Sequence, residues 1–286
     1  MLSNKVSEIT TREVILAPAS SSIFDVMEMM AAKNVGGLII TEDQTPVGIF
    51  TERDVLKRVV HKRLDARKHS IKKVMTSPIH AVRADTHVVE ALGKMYKSKF
   101  RHLPVRGEKK AIVGMISMRD ILNFAVELGR GLAETRTIGS IVSGEPVTVD
   151  GSQSVAETVA TMIDHNTGCA IVLAQNEPKG IFTERDVLKR VAVKEIDPQK
   201  TPVSRVMTTG FTSMSHSALI GEALAEMRHR GFRHLPIRDE GGKLTGIVSL
   251  VDVLKYAKAL DVDEKVRQAW KEVEEFWESE EQYTPG

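Results

Sequence analysis

The chain has 286 residues, of which 42% are apolar and 27% charged, and a formal net charge of +2. These are the proportions of a soluble globular protein with enough chain for about two domains, and the mixed charge argues against a strongly electrostatic nucleic-acid binder or an acidic tail protein. Cys169 is the one cysteine, Met1 to Glu8 carries no apolar signal core, and no run approaches the ~18 apolar residues needed to cross a bilayer, so a reducing, cytoplasmic setting with no membrane partner is expected.

A short strand is expected near Val14 to Leu16. Ser20, Ser21 and Ser22 offer N-cap oxygens, and Ile23, Val26, Met27, Met30 and Ala31 follow at the spacing of one apolar helical face. Gly36 to Thr41 is short, apolar and β-branched, a buried strand; Glu42 to Pro46 is a turn, and Val47 to Phe50 closes a hairpin. Thr51 then opens a second helix with Val55, Leu56 and Val59 on its apolar face, giving the order β-α-β-β-α. A second stretch repeats the plan. Its helix begins near Thr86 and buries Val88, Leu92, Met95 and Tyr96, and its hairpin pairs Leu103–Val105 with Ile112–Ile116 across Gly107-Glu-Lys-Lys.

The plan recurs because the chain is a duplication. Gly48-Ile-Phe-Thr-Glu-Arg-Asp-Val-Leu-Lys-Arg-Val59 returns letter for letter at Gly180 to Val191, which carries Asp54 onto Asp186, an offset of 132 positions. The same offset carries Val74-Met-Thr76 onto Val206-Met-Thr208 and Phe100-Arg-His-Leu-Pro104 onto Phe232-Arg-His-Leu-Pro236. Each half divides again at 66 positions, since Gly114-Met-Ile-Ser-Met-Arg-Asp120 and Gly246-Ile-Val-Ser-Leu-Val-Asp252 echo the motif. A unit this short sits near the lower limit for an independent core, so the units are expected to be stable in pairs. Linkers fall at Lys62–Ser70, Glu127–Thr137 and Lys194–Pro202. Beyond the repeats, Val266, Trp270, Val273 and Trp277 form a stripe at helical spacing in an acidic tail. That tail is expected to be a helix packed on its own domain, or a docking helix with Trp anchors.

On these motifs the chain resembles four consecutive CBS domains, the cystathionine-beta-synthase-type regulatory module. The resemblance rests on Val-Met-Thr, on Arg-His-Leu-Pro in the hairpin and on four Gly-x-x-[Ser/Thr]-x-x-Asp motifs in register. It implies an α/β (α+β) fold of β-α-β-β-α units at 10–66, 70–130, 138–196 and 201–260, with a tail at 261–286. It also implies pairing into two Bateman modules that can close into a disc, no catalytic activity, and binding of AMP, ADP, ATP or S-adenosylmethionine in clefts between paired domains.

The residues support an independent case for a nucleotide. Thr51, Ser117, Thr183 and Ser249 stand where a strand ends and a helix begins, a place where free N–H groups favour phosphate. One turn on, Asp54, Asp120, Asp186 and Asp252 can accept from ribose hydroxyls. The competing explanation is a capping box, which spans the same spacing and needs no ligand. A box favours Glu or Gln, whose longer chain reaches back more easily, and all four units use Asp. Arg101, His102, Arg233 and His234 are candidates for phosphate contacts, opposed by Gly36-Gly37 and Gly168-Cys169 at matching positions, glycines that let a ligand approach the backbone. Arg53, Arg119 and Arg185 precede three of the aspartates, where the fourth unit has Val251. Ile15, Ile49, Phe50, Ile79, Ile181 and Phe182 are expected to wall an adenine.

Other functions find less support. No Walker loop, His-Glu-x-x-His or Gly-x-Ser-x-Gly occurs, the histidines show no metal spacing, and a nucleotide hydrolase would lack a metal-binding acid cluster. Cys169 aligns with a glycine and is expected to be a small core residue. Lys57 to Lys73 is rich in Lys and Arg, which keeps open an RNA- or DNA-binding role with a steep salt dependence; a scaffold with degenerate clefts is the other alternative. The expected function is a sensor of adenosine-containing nucleotides, with no metal or catalytic cofactor, that signals to an effector protein, as one chain or a homodimer.

Overall fold

A computed structural model describes residues 5–11, 13–98, 100–108, 111–118, 120–121, 136–142, 144–249 and 252, with the Tyr96 side chain excepted. The expected burial of Tyr96, the Arg119 side chain, the Val251 departure and the C-terminal stripe all lie outside these residues.

The first unit contains β1 (Leu16–Pro18), α1 (Ile23–Ala32), β2 (Gly37–Glu42) and β3 (Thr45–Thr51). The Ser22 hydroxyl accepts from the Asp25 N–H, so the last of the three serines starts α1. Ile23, Phe24, Val26, Met27 and Met30 are its buried residues, the stripe that the apolar spacing predicts. β1 runs parallel to β2, and β2 is antiparallel to β3 with a register shift at Ile40/Thr41. The chain then turns into one helical turn, Glu52–Asp54, which widens to π geometry over Val55–Val60.

The other units repeat this design. β4 (Val82–Arg83), α2 (Val88–Lys97), β5 (His102–Arg106) and β6 (Ile112–Ser117) make the second. β7 (Thr148–Asp150), α3 (Val155–Asp164), β8 (Cys169–Ala174) and β9 (Glu177–Thr183) make the third, again followed by a π turn at Val187–Ala192. After β10 (Thr208–Thr209), the fourth has β11 (Met214–Ser215), α4 (Ile220–Arg230), β12 (His234–Arg238) and β13 (Leu244–Ser249). Each hairpin carries its register shift at the same place: Val105/Arg106, Val172/Leu173 and Ile237/Arg238 match the first.

The units are bound in pairs by exchanging their leading segments. The Thr76 N–H donates to Ile49 O (2.8 Å), and the Ile49 N–H returns a bond to Thr76 O (3.0 Å), so the second unit's leader extends the first unit's sheet. The reverse exchange joins Thr11 to Met115, and β10 extends β9 with Thr208 opposite Ile181. This crossing explains the motif glycine. A Cβ at Gly48 would lie 2.7 Å from Met75 Sδ and one at Gly180 2.4 Å from Met207 Sδ, while Gly114 and Gly246 are crossed by Thr10 and Val142.

Two cores then join the pairs. The first and third units share one, with Phe50, Val55 and Leu56 from one side and Phe182, Val187 and Leu188 from the other. The second and fourth share another around Leu92, Met95, Leu224 and Met227. At the rim of the first core, the Arg67 guanidinium forms two 2.8 Å bonds to Glu195 and lies 3.6 Å from the Phe24 ring centroid. That contact, with Lys68 on Asp65 and Lys72 on Glu42, engages three of the eight Lys and Arg residues in the basic stretch at 57–73. Among the described residues no helix is long and apolar enough to cross a membrane.

Candidate functional site

All four Ser/Thr-x-x-Asp motifs close as capping boxes. Asp54 Oδ2 accepts from the Thr51 N–H (2.9 Å) and hydroxyl (2.7 Å). Asp120 does the same for Ser117 (2.7 and 2.6 Å), Asp186 for Thr183 (2.9 and 2.7 Å) and Asp252 for Ser249 (2.7 and 2.6 Å). The use of Asp in place of the favoured Glu or Gln therefore does not separate a ribose role from a cap: the strand-to-helix turn is tight enough for the shorter side chain to close the box.

The four aspartates differ in what meets the second oxygen. Asp54 Oδ1 lies 3.3 Å from Arg58 Nη1. Asp186 Oδ1 lies 3.2 Å from Arg190 Nε and accepts from the Thr208 hydroxyl at 3.1 Å. These two arginines also donate to carbonyls of the following leader, Arg58 to Val74 O (2.8 Å) and Arg190 to Met207 O (2.5 Å), so in the odd units the aspartate is part of a structural tie. Burial raises the Asp54 pKa, with the Thr51 hydroxyl and then Arg58 acting against it. Asp120 and Asp252, by contrast, line a cavity of about 610 Å³ together with Ser117 and Ser249.

That cavity spans the pseudo-twofold axis of the duplication. Thr11, Glu13, Ile15 and Met115 line one half, and Glu145, Val147 and Ile247 the other, with Arg53, Arg101, His102, Arg233 and His234 at the centre. A second cavity of about 170 Å³ contains Ile49, Thr51, Asp54, Thr76 and His80, and shares Arg53, Arg101, His102 and Arg233 with the first. The larger lies within the 300–1,000 Å³ usual for small-molecule sites and the smaller does not.

The smaller cavity is lined by Glu52 and Glu184, absent from the expected site, which form an ion-pair network with arginines, three of them shared with the larger cavity. Glu52 Oε1 accepts from Arg185 Nε (3.0 Å) and Oε2 from Arg233 Nη2. Glu184 Oε2 accepts from Arg101 Nη1, with Arg53 Nε 3.8 Å from Oε1. Each unit supplies one arginine, and each half's glutamate is held by the two arginines of the other half. Both glutamates are only 2% exposed. Burial pushes the Glu52 pKa up, but the positive charges and hydrogen bonds of Arg233 and Arg185 prevail and bring it down to about 2. Arg233 is disfavoured by its own burial, yet Glu52 and Glu184 raise its pKa. The His234 imidazole is pushed down to about 3 by burial and then by Arg101 and Arg233, so it is neutral near pH 7.

Three expectations change. Phe50 and Phe182 are fully buried in the helical core, on the strand face opposite Ile49 and Ile181, because side chains alternate along a strand; neither can wall a ligand. Gly36 and Gly168 line the larger cavity, but they also make room for protein: a Cβ at Gly36 would meet the His102 ring at 3.0 Å, and one at Gly168 would meet Arg101 at 2.9 Å and His234 at 3.1 Å. Ile79 is half-buried, outside the lining of both cavities; its counterpart Phe211 packs on the cluster of Cys169, Ile171 and Ile181. Cys169 itself is buried, its thiol pushed up to about 12 by desolvation, and is a core residue rather than a nucleophile.

Comparison with known proteins settles the family. The CBS domain matches at residues 6–61, 71–127, 138–193 and 203–259. The chain belongs to the CBS-domain family. It consists of four CBS domains forming two Bateman modules. It is 27% identical to the CBS domain-containing protein CBSCBSPB1 of Arabidopsis thaliana over 89% of this chain and 54% of that one. It is 36% identical to a 17.7 kDa protein of Acidianus ambivalens over 48% of this chain and 80% of the other. The chain thus spans about half the length of the first of these curated relatives. Among solved structures, protein MJ1225 of Methanocaldococcus jannaschii, a proposed archaeal homologue of g-AMPK, superposes with a TM-score of 0.75 at 17% identity, covering 88% of this chain and 99% of that one. At that identity the likeness concerns the fold.

Proposed function

We propose that this protein is a regulatory sensor of adenine nucleotides whose ligand occupies the large central cavity between the four CBS domains and whose output passes to a partner protein. The observation that carries this is the convergence, on one cavity of about 610 Å³, of two Ser-x-x-Asp turns with Arg53, Arg101, Arg233, His102 and His234. Asp120 or Asp252 would take the ribose hydroxyls, the Ser117 or Ser249 turn and the arginines the phosphate, and Ile15, Val147, Met115 and Ile247 the base. Arginines suit a phosphate and disfavour the cationic sulfonium of S-adenosylmethionine, so AMP, ADP or ATP is the expected class. A ligand bridging the modules regulates a partner only if it binds one arrangement of the domains better than another.

Calorimetric titration with AMP, ADP, ATP and S-adenosylmethionine tests this. Micromolar binding of a nucleotide, about −8 kcal/mol, weakened tenfold or more in Asp120→Ala or Asp252→Ala, is the expected result. Absence of heat with every ligand at several temperatures would sink it and favour a scaffold. For Asp54 and Asp186 a structural role is the better explanation, because Arg58 and Arg190 already hold their second oxygens.

A further inference from the structure

Glu52 and Glu184 do not belong to the phosphate chemistry just described, yet they sit beside the same arginines. Four buried or half-buried arginines, Arg53, Arg101, Arg185 and Arg233, face two glutamates, which leaves a formal excess of two positive charges. His234, one of the two histidines at this centre, is held neutral and adds nothing to that sum. Around the centre, the cavity wall carries Glu13, Glu145, Asp120 and Asp252, so negative charge extending outward from the arginines meets more carboxylates.

We infer that Glu52 and Glu184 set the charge this cavity accepts, admitting an anion with a single phosphate and discriminating against two or three. The inference rests on the cavity being an anion site, as proposed above. Glu184 takes one N–H of Arg101 and Glu52 one N–H of Arg233, whereas a guanidinium has five donors. A single phosphate, carrying close to two negative charges, can use other donors of the same arginines and match the excess without displacing a glutamate. A di- or triphosphate brings more charge than the centre offers. It must either repel both carboxylates or pull Arg101 and Arg233 away, stranding buried glutamates without their closest cations. Because each glutamate is held by the arginines of the other module, displacing one also loosens the contact between modules, so the penalty cannot be avoided by local rearrangement.

The test is a titration of the full chain in EDTA, so that no magnesium masks the polyphosphates, with adenosine, AMP, ADP and ATP. AMP should bind at least tenfold more tightly than ATP. In the Glu52→Gln/Glu184→Gln double variant ATP should gain at least tenfold and AMP change less than threefold. Affinity rising with each added phosphate in the unaltered protein overturns the inference without any variant, which covers the case in which the double variant does not fold. An unchanged ATP-to-AMP ratio in a folded variant overturns it too. If no nucleotide binds, the sensor proposal fails, and inorganic phosphate and pyrophosphate decide the gate separately: phosphate preferred by the unaltered protein, with the preference lost in the variant, upholds it, and binding of neither anion removes it.

Discussion

The odd and even CBS domains close the same capping box and then use its aspartate differently. In the first and third domains, Arg58 and Arg190 sit four residues after Asp54 and Asp186 and pair with them. In the second and fourth, the same place in the sequence holds Phe124 and Tyr256, and Asp120 and Asp252 line the central cavity. The odd domains also supply Glu52 and Glu184, where the even ones have Met118 and Leu250, while the even domains supply the Arg-His pairs that reach over Gly36 and Gly168. Duplication preserved the scaffold and divided the labour of the aspartates: those of the odd domains anchor, those of the even domains face the larger cavity.

The sharpest way to break that division is to remove an anchor. Glu52→Ala leaves Arg185 and Arg233 facing each other in a buried site, and loss of one partner of a buried ion pair costs about 3–5 kcal/mol. Chemical denaturation should show a loss in that range. A loss under about 1 kcal/mol would mean that the network is not a structural centre.

Acid should act on the same anchor. Glu52 ionises near the ordinary 4.5 when unfolded and near 2 when folded; a depressed folded pKa means a contribution that is complete above 4.5 and disappears as the pH falls from 4.5 to 2. Its size is roughly 3 kcal/mol. Asp54, raised by burial, works in the opposite sense and offsets part of it. Stability measured between pH 5 and 2 should fall steeply in the unaltered protein and less steeply in Glu52→Gln; parallel curves would remove Glu52 as the cause.

Much of this architecture is legible in the sequence, for a physical reason: strand and helix periods in short repeated units place β2, β3, α1 and their counterparts within a residue or two. The aspartates and Arg-His pairs are legible as well, since they recur. What was missed is Glu52 and Glu184. They lie inside the identical twelve-residue block, where repetition draws attention to the shared Thr-x-x-Asp rather than to a residue that the even domains lack. The available signal is complementarity: acids confined to two domains and Arg-His pairs to the other two. The inward face of Phe50 against Ile49 is visible only once the strand's core side is known.

The motif glycines give a smaller test of the exchange between domains. Gly180→Ala would put a Cβ 2.4 Å from Met207 Sδ and 2.9 Å from the Thr208 carbonyl oxygen. The methionine can move, but the backbone of β10 must shift with it. Overpacking of this kind costs about 1–3 kcal/mol, and proteolysis near Thr208 should accelerate. A neutral substitution would indicate that the leader is not held against β9.

The smallest effect separates the two kinds of aspartate. Asp54→Asn keeps the shape of the side chain but weakens the tie to Arg58, a loss of about 1 kcal/mol, and should alter nucleotide affinity less than threefold. Asp120→Asn removes a carboxylate that faces the cavity and should weaken binding about tenfold while stability changes by no more than about 1 kcal/mol. Paired titration and denaturation of both variants decides the matter. If Asp54→Asn loses as much affinity as Asp120→Asn, the ligand sits between the first and second domains beside Thr76, and the odd domains are binding domains after all.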